Sequence, residues 1–401
     1  MDKIEELLTR GVANIIPNKE KLKNLLRSGK KLNVYLGIDP TATKIHLGHA
    51  VSLRKLQAFA ELGHNVTFLI GDFTALIGDT SDKDSERPVL TSEQIEENFK
   101  TYKKQAEKIL DFSKVSIKYN SEWLQKLPLS EFIKIAHRFS FGDFASRELI
   151  KKRLGESKRV GLHEALYPAL QGYDSYYLDT DVQIGGTDQT FNMQAGRTLQ
   201  KDLRSKESFI IATEFLMGTD GRKMSKTWNN AIWITDEAND MYAKVMAIND
   251  DLIVQYYMLA TNVPMSKVSE VEKKLKAGEN PMNIKKQLAH ELIRELYSAK
   301  VAKTTQEYFE KTVQQKELPD NIKIFEFGAE AFDSGRWIED ILIQTKLVES
   351  RSEAKRLVVQ GGVEVNNKKV LNPEQIMPVD NMLIKVGKRK FAKIKVQTAP
   401  K

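Results

Sequence analysis

Residues 34–49 have the sequence VYLGIDPTATKIHLGH, and this stretch decides the fold. Residues 34–38 are apolar and predict a buried strand, which Asp39-Pro40-Thr41 ends. A helix is predicted over about residues 46–62, and the apolar run 66–70 predicts a second strand. Strand, helix and strand in this order predict an α/β domain with a parallel sheet, whose ligands bind at the carboxyl ends of the strands.

The pattern of the chain changes twice beyond this unit. Residues 236–330 have the amphipathic spacing of helices. Residues 337–346 and 352–360 predict two short helices, and residues 363–370 predict a hairpin with an Asn366-Asn367 turn. We therefore predict three domains: a Rossmann-like α/β domain over residues 1–235, an α-helical domain over residues 236–330, and a small α+β domain over residues 331–401.

The positive charge is concentrated at the C-terminal end. The whole chain has a net charge of +8, and residues 336–401 contribute 14 Lys or Arg against 7 Asp or Glu, a net of +7. A nearly neutral body with a basic C-terminal region indicates a polyanionic partner, RNA or DNA. The alternative is a basic module with no such partner.

Composition excludes several classes of function. The chain has no cysteine, so disulfides, thiolate metal sites and thiol nucleophiles are excluded. No apolar run approaches the roughly 18 residues of a membrane span. The N-terminal residues mix acids and bases and do not resemble a targeting peptide. We therefore expect a cytoplasmic protein with no membrane partner.

The motif His46-Leu47-Gly48-His49 lies at the predicted start of the first helix. Histidines three residues apart share a helix face, and Gly48 lets a ligand approach the backbone. Because a helix N-terminus also favours phosphate, the motif is compatible with phosphate binding by His46 and His49, although the HxGH string alone is a weak signal. The alternative is two ordinary surface histidines.

A second motif, Lys223-Met224-Ser225-Lys226, follows the glycine-containing segment Gly218-Thr219-Asp220-Gly221-Arg222. Lysines on a mobile loop can close over a pyrophosphate leaving group and neutralise its charge in the transition state. Taken alone, the motif favours the alternative, a solvated basic turn.

A third group of residues indicates a polar substrate. Tyr167, Gln171 and Asp174 are spaced i, i+4 and i+7, so one helix face would present all three. The alternative is that Tyr167 packs in the core. Gln171 and Asp174 argue against that alternative, because burying them unpaired would cost free energy.

The two motifs, in this order and about 175 residues apart across an α/β domain, resemble the paired signatures of class I aminoacyl-tRNA synthetases. Within that class the chain is similar to the bacterial-type tyrosyl-tRNA synthetases, in the branch whose signature is HLGH. The resemblance covers essentially the whole chain. The supporting stretches are residues 35–41, 69–74, 77–79, 121–124, 163–164, 167–174 and 185–189.

The resemblance implies a role for each candidate residue. Tyr35 and Asp174 would bind a phenolic hydroxyl, and Asp79, Tyr167 and Gln171 an α-ammonium group, with Gln189 near the carboxylate. Thr41, His46, His49, Lys223 and Lys226 would serve the chemistry on ATP. The ATP-binding set would further include Asp39, Gly48, Gly186, Asp188, Met224 and Ser225.

The resemblance also implies partners. The substrates would be L-tyrosine, ATP carrying Mg²⁺ and tRNA(Tyr), with no metal held by the protein and no organic cofactor. Residues 236–330 would bind the anticodon, and residues 331–401 would form an RNA-binding domain with Arg351, Lys355 and Arg356 as candidate contacts. A homodimer would form through an insertion over about residues 115–165.

Two stretches depart from the family pattern. Pro-Ser-Gly usually follows the aspartate of Ile77-Gly78-Asp79, whereas this chain has Thr80-Ser81-Asp82. A serine and then Gly-Asn usually follow the second lysine of the KMSK motif, whereas this chain has Thr227-Trp228-Asn229-Asn230. We expect both changes to alter local loop shape rather than chemistry.

Three alternatives share parts of this pattern. A tryptophanyl-tRNA synthetase has the same architecture, but Tyr35 and Asp174 argue against it. A small nucleotidyltransferase can carry HxGH, yet it would not need the helical and basic C-terminal regions. A non-catalytic RNA-binding relative would be favoured by loss of a signature histidine or lysine, and here all four are present.

Overall fold

The computed structural model describes residues 2–40, 43–79, 91–315, 322–328, 336–387 and 390–397. Thr41 and the Thr80-Ser81-Asp82 segment, on which two expectations fall, lie outside the described residues. The chain forms two compact units, one of Met1–Glu237 with Lys244–Ala299 and one of Ala238–Ala243 with Lys300–Lys401. The finer division into three domains stays a prediction.

The first unit is built on a six-stranded sheet. The strand order is β1-β6-β5-β2-β3-β4, and every neighbouring pair is parallel except β1 with β6. The α/β fold with a parallel sheet is therefore confirmed. The strands are β1 (Val12–Ile16), β2 (Asn33–Ile38), β3 (Asn65–Ile70), β4 (Val115–Tyr119), β5 (Val182–Gly186) and β6 (Phe209–Thr213).

The strand order reverses direction at β2. From β2 the chain adds β3 and β4 on one side, and it then returns to add β5 and β6 on the other side. The carboxyl ends of β2 and β5 therefore flank the crevice that such a reversal opens in a parallel sheet.

Fourteen helices begin within the described residues up to 298. They are α1 (Lys3–Thr9), α2 (Lys19–Arg27), α3 (Leu47–Glu61), α4 (Ser92–Ala106), α5 (Ser121–Leu124), α6 (Leu129–Ala136), α7 (Phe141–Ala145), α8 (Glu148–Gly155), α9 (Leu162–Tyr177), α10 (Thr190–Arg204), α11 (Ala238–Met246), α12 (Ile253–Ala260), α13 (Met265–Lys276) and α14 (Pro281–Leu296). Helix α3 matches the predicted helix to within one residue and packs against β2, β3 and β5.

The second unit includes the two short helices and the hairpin predicted near the C-terminus. Its helices and strands are α15 (Ala299–Phe309), which starts one residue before the unit, β7 (Lys323–Gly328), β8 (Arg336–Trp337), α16 (Ile338–Gln344), α17 (Arg351–Val359), β9 (Val363–Val365), β10 (Lys368–Val370), β11 (Gln375–Ile376), β12 (Leu383–Val386) and β13 (Lys390–Gln397). The β9–β10 hairpin turns at Asn366 and Asn367, whose φ angles of 48° and 66° suit a two-residue hairpin turn. The predicted hairpin is confirmed.

One prediction of secondary structure was wrong. Residues 323–328 fall in the region expected to be helical, yet they form β7, which pairs in parallel with β13. Aromatic residues alternate with other residues here, and Phe325 and Phe327 pack on the core of the second unit, while Ile324 is exposed. This period of two suits a strand with one buried face.

No helix within the described ranges combines the length and the apolar character needed to cross a membrane.

The role of β7 can be tested with a buried and an exposed side chain of the same strand. Phe327 is 6% exposed and Ile324 is 59% exposed. We expect Phe327→Ala to lower the local stability of the β12–β13 sheet by about 3–5 kcal/mol, and Ile324→Ala to change it by less than about 0.5 kcal/mol. Hydrogen exchange of peptides from β12 and β13 measures both effects, and equal losses of protection would contradict the assignment.

Candidate active site

Polar side chains follow the strands of the sheet at their carboxyl ends. Asp39 follows β2, Asp72 comes two residues after β3, Asn120 follows β4, and Asp188 comes two residues after β5. Because parallel strands end at the same edge, these residues line one side of the sheet. The site predicted from the sequence lies along this edge.

Tyr35 and Asp174, the two residues predicted to bind a phenolic hydroxyl, are buried. Asp174, on α9, is 3% exposed and accepts hydrogen bonds from Trp123 Nε1 at 2.8 Å and from Asn120 Nδ2 at 3.1 Å. The Tyr35 hydroxyl donates to Gln183 Oε1 at 3.1 Å. Tyr35 belongs to a buried cluster with Leu69, Trp123, Leu124 and Leu170, and the side chains of this cluster form the apolar walls of the site.

Burial changes the ionisation of both groups. Burial raises the pKa of Asp174 to about 8, against the lowering effect of the donors Asn120 and Trp123. Burial also raises the pKa of Tyr35 well above its usual value, and repulsion by Asp174 adds to this effect. At neutral pH Tyr35 therefore keeps its proton, and Asp174 stays close to its titration range.

A continuous set of hydrogen bonds joins Asp174 to the end of β2. Asn120 Nδ2 also donates to Thr74 Oγ1 at 3.0 Å, and Thr74 Oγ1 donates to Asp39 Oδ1 at 2.8 Å. The Tyr167 hydroxyl donates to Asp39 Oδ2 at 2.8 Å. A Cβ atom at Gly71 would lie 2.0 Å from Asp39 Oδ1, so glycine is required there.

A second cluster surrounds Asp79. Its carboxylate accepts from Gln189 Nε2 at 2.6 Å and from Asn192 Nδ2 at 3.4 Å. Tyr167 and Gln171 lie one helical turn apart on α9, and Tyr167 is buried while Gln171 is half-buried. The cluster therefore presents carboxylate, amide and hydroxyl groups from three separate segments.

The HLGH motif caps α3 with its own histidines. His46 Nδ1 accepts from the His49 backbone N–H at 3.4 Å, and His49 Nδ1 accepts from the His46 backbone N–H at 3.3 Å. Each imidazole therefore keeps a hydrogen on Nε2, where it can donate to a ligand. Burial, with repulsion from His49 and Lys223, lowers the pKa of His46 to about 2, so this ring is neutral.

The close packing of the motif explains its glycine. The rings of His46 and His49 stack with centroids 3.7 Å apart. A Cβ atom at Gly48 would lie 2.9 Å from His46 Nδ1 and 3.7 Å from Met224 Cβ. Gly48 therefore brings the HLGH backbone against the KMSK loop, as a shared site for one ligand requires.

The KMSK loop contacts the end of β5. Lys223 Nζ lies 3.4 Å from Asp188 Oδ2 and 3.8 Å from the centroid of the Phe215 ring. The Met224 side chain is buried, and Lys226 is exposed. The loop thus holds Lys223 over the predicted site and leaves Lys226 in solvent.

Asn230 fastens this loop. Its side chain is buried, accepts from the Ser225 backbone N–H at 2.8 Å, and donates to Asp220 Oδ1 at 2.7 Å and to the Lys223 carbonyl at 3.1 Å. Asn229 has a φ of 52°, a left-handed conformation that asparagine tolerates better than most residues. Where the family usually has Gly-Asn, the Asn229-Asn230 pair therefore forms an ordered turn.

The structure groups most of the predicted site residues. Tyr35 lies near Asp174, Asp39 contacts Tyr167, Asp79 contacts Gln189, Asp188 contacts Lys223, and a Cβ atom at Gly186 would lie 2.5 Å from Asp188 Oδ1. The RNA-binding candidates Arg351, Lys355 and Arg356 are instead exposed on α17, in the second unit. Thr41 lies outside the described residues.

Sequence reasoning did not select Asn120, Thr74, Gln183 or Asn230 as site residues. Asn120 comes directly after a strand, as Asp39 does, so its position in the sequence could have identified it as a site residue. Gln183 lies inside β5 and is fixed by its Nε2 donating to the Met193 carbonyl at 3.0 Å. No local pattern distinguishes such a residue, because its partners Tyr35 and Met193 are brought to it only by the fold.

A cavity of about 730 Å³ lies away from this edge, near the amino ends of β2, β3 and β4, and is lined by residues including Asn33, Asn65 and Lys114. Among the predicted site residues that the structure describes, Tyr35 alone lines this cavity. Within the parts of the chain that the structure describes, no three His, Asp or Glu side chains are grouped as metal ligands.

Comparison with known proteins identifies the family. Residues 27–314 match the family described as class I tRNA synthetases (W and Y), and residues 336–381 match the S4 domain. The chain is 43% identical over 397 residues to the tyrosine–tRNA ligase of Carboxydothermus hydrogenoformans, with 97% of each chain covered. It is 40% identical over 392 residues to that of Thermotoga maritima, covering 97% of this chain and 96% of that one.

Solved structures show the same fold. A truncated mitochondrial tyrosyl-tRNA synthetase of Aspergillus nidulans has a TM-score of 0.64 at 22% identity, covering 76% of this chain and 92% of that one. The fold and the two signature motifs thus define a class I aminoacyl-tRNA synthetase. The identity over nearly the full length places it further: the chain belongs to the tyrosyl-tRNA synthetase family. The family expected from HLGH and KMSK is confirmed.

The unusual ionisation of Asp174 gives a test of its environment. Its pKa is 3.8 in an unfolded chain and about 8 in the fold, so between these values the folded state binds a proton that the unfolded state lacks. The contribution of Asp174 to the free energy of unfolding should therefore fall as pH rises from about 4 to about 8. Asp174→Asn removes this group, so its stability relative to wild type should rise over the same range, by at most about 1.4 kcal/mol per pH unit.

Urea unfolding of both proteins at several pH values between 5 and 9 measures this difference. The oxygen of the new amide replaces only one of the two acceptor oxygens that Asn120 and Trp123 use, and this loss adds a constant offset. The slope is therefore the informative quantity. A difference that stays constant over this range would contradict the raised pKa of Asp174.

Proposed function

We propose that this protein is a tyrosine–tRNA ligase. It activates L-tyrosine with ATP, giving tyrosyl adenylate and pyrophosphate, and then transfers tyrosine to the 3′-terminal adenosine of tRNA(Tyr). The observation that carries the proposal is the buried pair Tyr35 and Asp174 beside the switch point of the sheet. A cytoplasmic location belongs to the same proposal, because charged tRNA is consumed by translation.

Tyr35 and Asp174 select the substrate through its phenolic hydroxyl. Both side chains are buried in apolar surroundings, so a bound phenol exchanges hydrogen bonds with groups that have no access to water. Phenylalanine in the same position would leave these groups without the substrate hydroxyl. Each buried polar group left unpaired costs about 1–3 kcal/mol, which disfavours phenylalanine.

The other end of tyrosine is held by the cluster around Asp79. Asp79, Tyr167 and Gln171 bind the α-ammonium group, and Gln189 lies beside the carboxylate. Asp79 accepts a hydrogen bond from Gln189, and Asp39 accepts one from Tyr167. These contacts support the assignment, because the residues proposed for the ammonium group and for the carboxylate are neighbours. The tyrosine carboxylate then points toward the ends of β2 and β5.

ATP occupies the space between these strand ends and the two motifs. Asp39 and Asp188 bind ribose, Gly48, Gly186, Met224 and Ser225 line the nucleotide, and Thr41, His46 and His49 serve the phosphates. Lys223 and Lys226 close over the pyrophosphate. Mg²⁺ enters with ATP and neutralises its phosphate charge.

The chemistry of activation follows from this placement. The tyrosine carboxylate oxygen attacks the α-phosphorus, and the bond to pyrophosphate breaks. No side chain becomes covalently bound, so the protein contributes positioning and charge stabilisation. The Nε2–H groups of His46 and His49 and the ammonium groups of the lysines donate hydrogen bonds as negative charge develops.

The second step brings in tRNA. A hydroxyl of the terminal ribose attacks the carbonyl carbon of tyrosyl adenylate, and AMP leaves. Residues 236–330 serve as the anticodon-binding region, and residues 331–401 as an RNA-binding domain. The match to the S4 domain and the exposed Arg351, Lys355 and Arg356 on α17 support this role.

The protein acts as a homodimer in this proposal, through helices of residues 115–165. The three most exposed large apolar side chains within the described ranges lie in this segment: Leu129 at 73%, Leu162 at 72% and Phe141 at 63%. Ile133 and Leu154 of the same segment are also exposed. Apolar groups concentrated in one surface segment are typical of a protein–protein interface.

ATP–pyrophosphate exchange with purified protein, tested with each amino acid in turn, examines the proposed function. We expect exchange with tyrosine alone, because only tyrosine offers Tyr35 and Asp174 a phenolic hydroxyl. Exchange with tryptophan would keep the class and overturn the roles of this pair. Absence of exchange with any amino acid, in folded protein, would overturn the proposed activity.

Asp174→Ala distinguishes an effect on tyrosine binding from an effect on ATP binding in the same assay. We expect KM for tyrosine to rise by at least about tenfold, because about 1–3 kcal/mol of hydrogen bonding is lost. KM for ATP should change less than about twofold. An equal rise in both constants would contradict the assignment of Asp174 to tyrosine.

The dimer is tested by placing a charge on the apolar surface. We expect Phe141→Asp to shift the protein from dimer to monomer in sedimentation equilibrium, because an interface cannot bury an unpaired carboxylate without cost. Leu371→Asp, at an exposed apolar position of the second unit, is the matched control and should leave the mass unchanged. A wild-type protein that sediments as a monomer would contradict the proposal.

A further inference from the structure

The loop of residues 218–230 carries an exposed aromatic tip that the proposed mechanism does not use. Trp228 is 46% exposed, and Lys226, Thr227 and Asn229 beside it are also exposed. Leaving so much apolar ring surface in water forgoes the free energy of burial, about 25 cal/mol per Å². The indole ring is therefore on the surface and is not a part of the core.

The tip is ordered by its own hydrogen bonds. The Asn229 backbone N–H donates to the Lys226 carbonyl at 3.3 Å, and the Thr227 backbone N–H donates to Ser225 Oγ at 3.3 Å. The buried Asn230 holds the base of the loop through Ser225. Trp228 is thus presented on a turn whose two ends are both anchored.

A guanidinium group lies over the ring. Arg222 Cζ is 4.7 Å from the centroid of Trp228, and Asp220 holds Arg222 through Nε at 2.8 Å. An aromatic ring with a cation against it and a lysine beside it is the combination that binds unpaired nucleic acid bases, by stacking on the ring and by attraction of the backbone phosphates.

The position of the tip fits one nucleic acid partner. Lys223, which contacts Asp188 at the proposed reaction site, is five residues from Trp228, so their Cα atoms are at most about 18 Å apart. The unpaired 3′ end of tRNA must enter this site so that its terminal ribose reaches the adenylate. Its last few nucleotides therefore pass within reach of the tip.

We propose that Trp228, backed by Arg222, is a stacking site for an unpaired base in the 3′-terminal stretch of tRNA. This inference rests on the proposed function. Lys223, Met224, Ser225 and Lys226 of the same loop are assigned to ATP, whereas Trp228 lies beyond them, at the solvent-exposed end of the loop. The site therefore acts in the transfer step and not in activation.

The first experiment compares activation with charging in the full-length protein. We expect Trp228→Ala to raise KM for tRNA in aminoacylation by about fivefold to 100-fold, the range that stacking of one base supplies. The kinetic constants of tyrosine-dependent ATP–pyrophosphate exchange should change less than about twofold. Trp228→Tyr keeps an aromatic face and should restore KM for tRNA to within about threefold of wild type.

A neighbouring substitution controls for disturbance of the loop. Asn229→Gly changes an exposed residue of the same turn, keeps its left-handed conformation and touches no aromatic ring, so we expect it to leave both assays unchanged. If Asn229→Gly raised KM for tRNA as much as Trp228→Ala does, the effect would belong to loop shape and the stacking site would be overturned.

A second experiment identifies the part of tRNA that contacts Trp228. Binding is measured with intact tRNA and with tRNA lacking its unpaired 3′-terminal nucleotides. We expect Trp228→Ala to weaken binding of the intact tRNA and to leave binding of the shortened tRNA at the wild-type level. Equal weakening of both would overturn the proposal, because the contact would then lie elsewhere on the tRNA.

These outcomes separate the inference from the proposed function. Loss of exchange with tyrosine in the wild-type protein would defeat the function itself. Normal exchange and charging in Trp228→Ala would defeat only the stacking site. A rise in KM for ATP equal to the rise for tRNA would also defeat it, by assigning Trp228 to the nucleotide of the first step.

Discussion

Burial of the Asp174 carboxylate constrains the rest of the catalytic region. A carboxylate removed from water needs donors in fixed positions, and here Trp123 on α5 and Asn120 at the end of β4 supply them. Asn120 also donates to Thr74, so α9, β4 and the turn after β3 must keep one mutual register. A shift of any of these elements would leave a buried polar group unpaired.

This network connects two ends of a site that are separated in the sequence. Thr74 donates to Asp39, which also accepts from Tyr167, so the buried carboxylate and the carboxylate at the end of β2 share one set of partners. The sheet topology makes this possible, because β2 lies between β3 and β5 and its carboxyl end faces both halves of the fold. A ligand lying across the crevice therefore contacts residues whose positions depend on one another.

The sequence predicted the features that depend on local pattern. Helix α3, the first two central strands and the Asn366-Asn367 hairpin follow from periodicity, capping and turn chemistry within a few residues. The strand β7 was missed because it lies in a region read as helical and its partner β13 is about 70 residues away. Gln183 was missed for the same physical reason, since its importance comes from Tyr35, far along the chain.

The turn after the KMSK motif shows how a departure from a family pattern can preserve shape. A left-handed residue is needed at position 229, and asparagine adopts that conformation at lower cost than most side chains other than glycine. Asn230 then makes the hydrogen bonds that hold Ser225 and Asp220, so the lysines keep their place whatever stands at position 228. Neither the core nor this set of hydrogen bonds depends on the indole of Trp228. The fold therefore does not constrain the residue at position 228, and contacts with a binding partner can determine it.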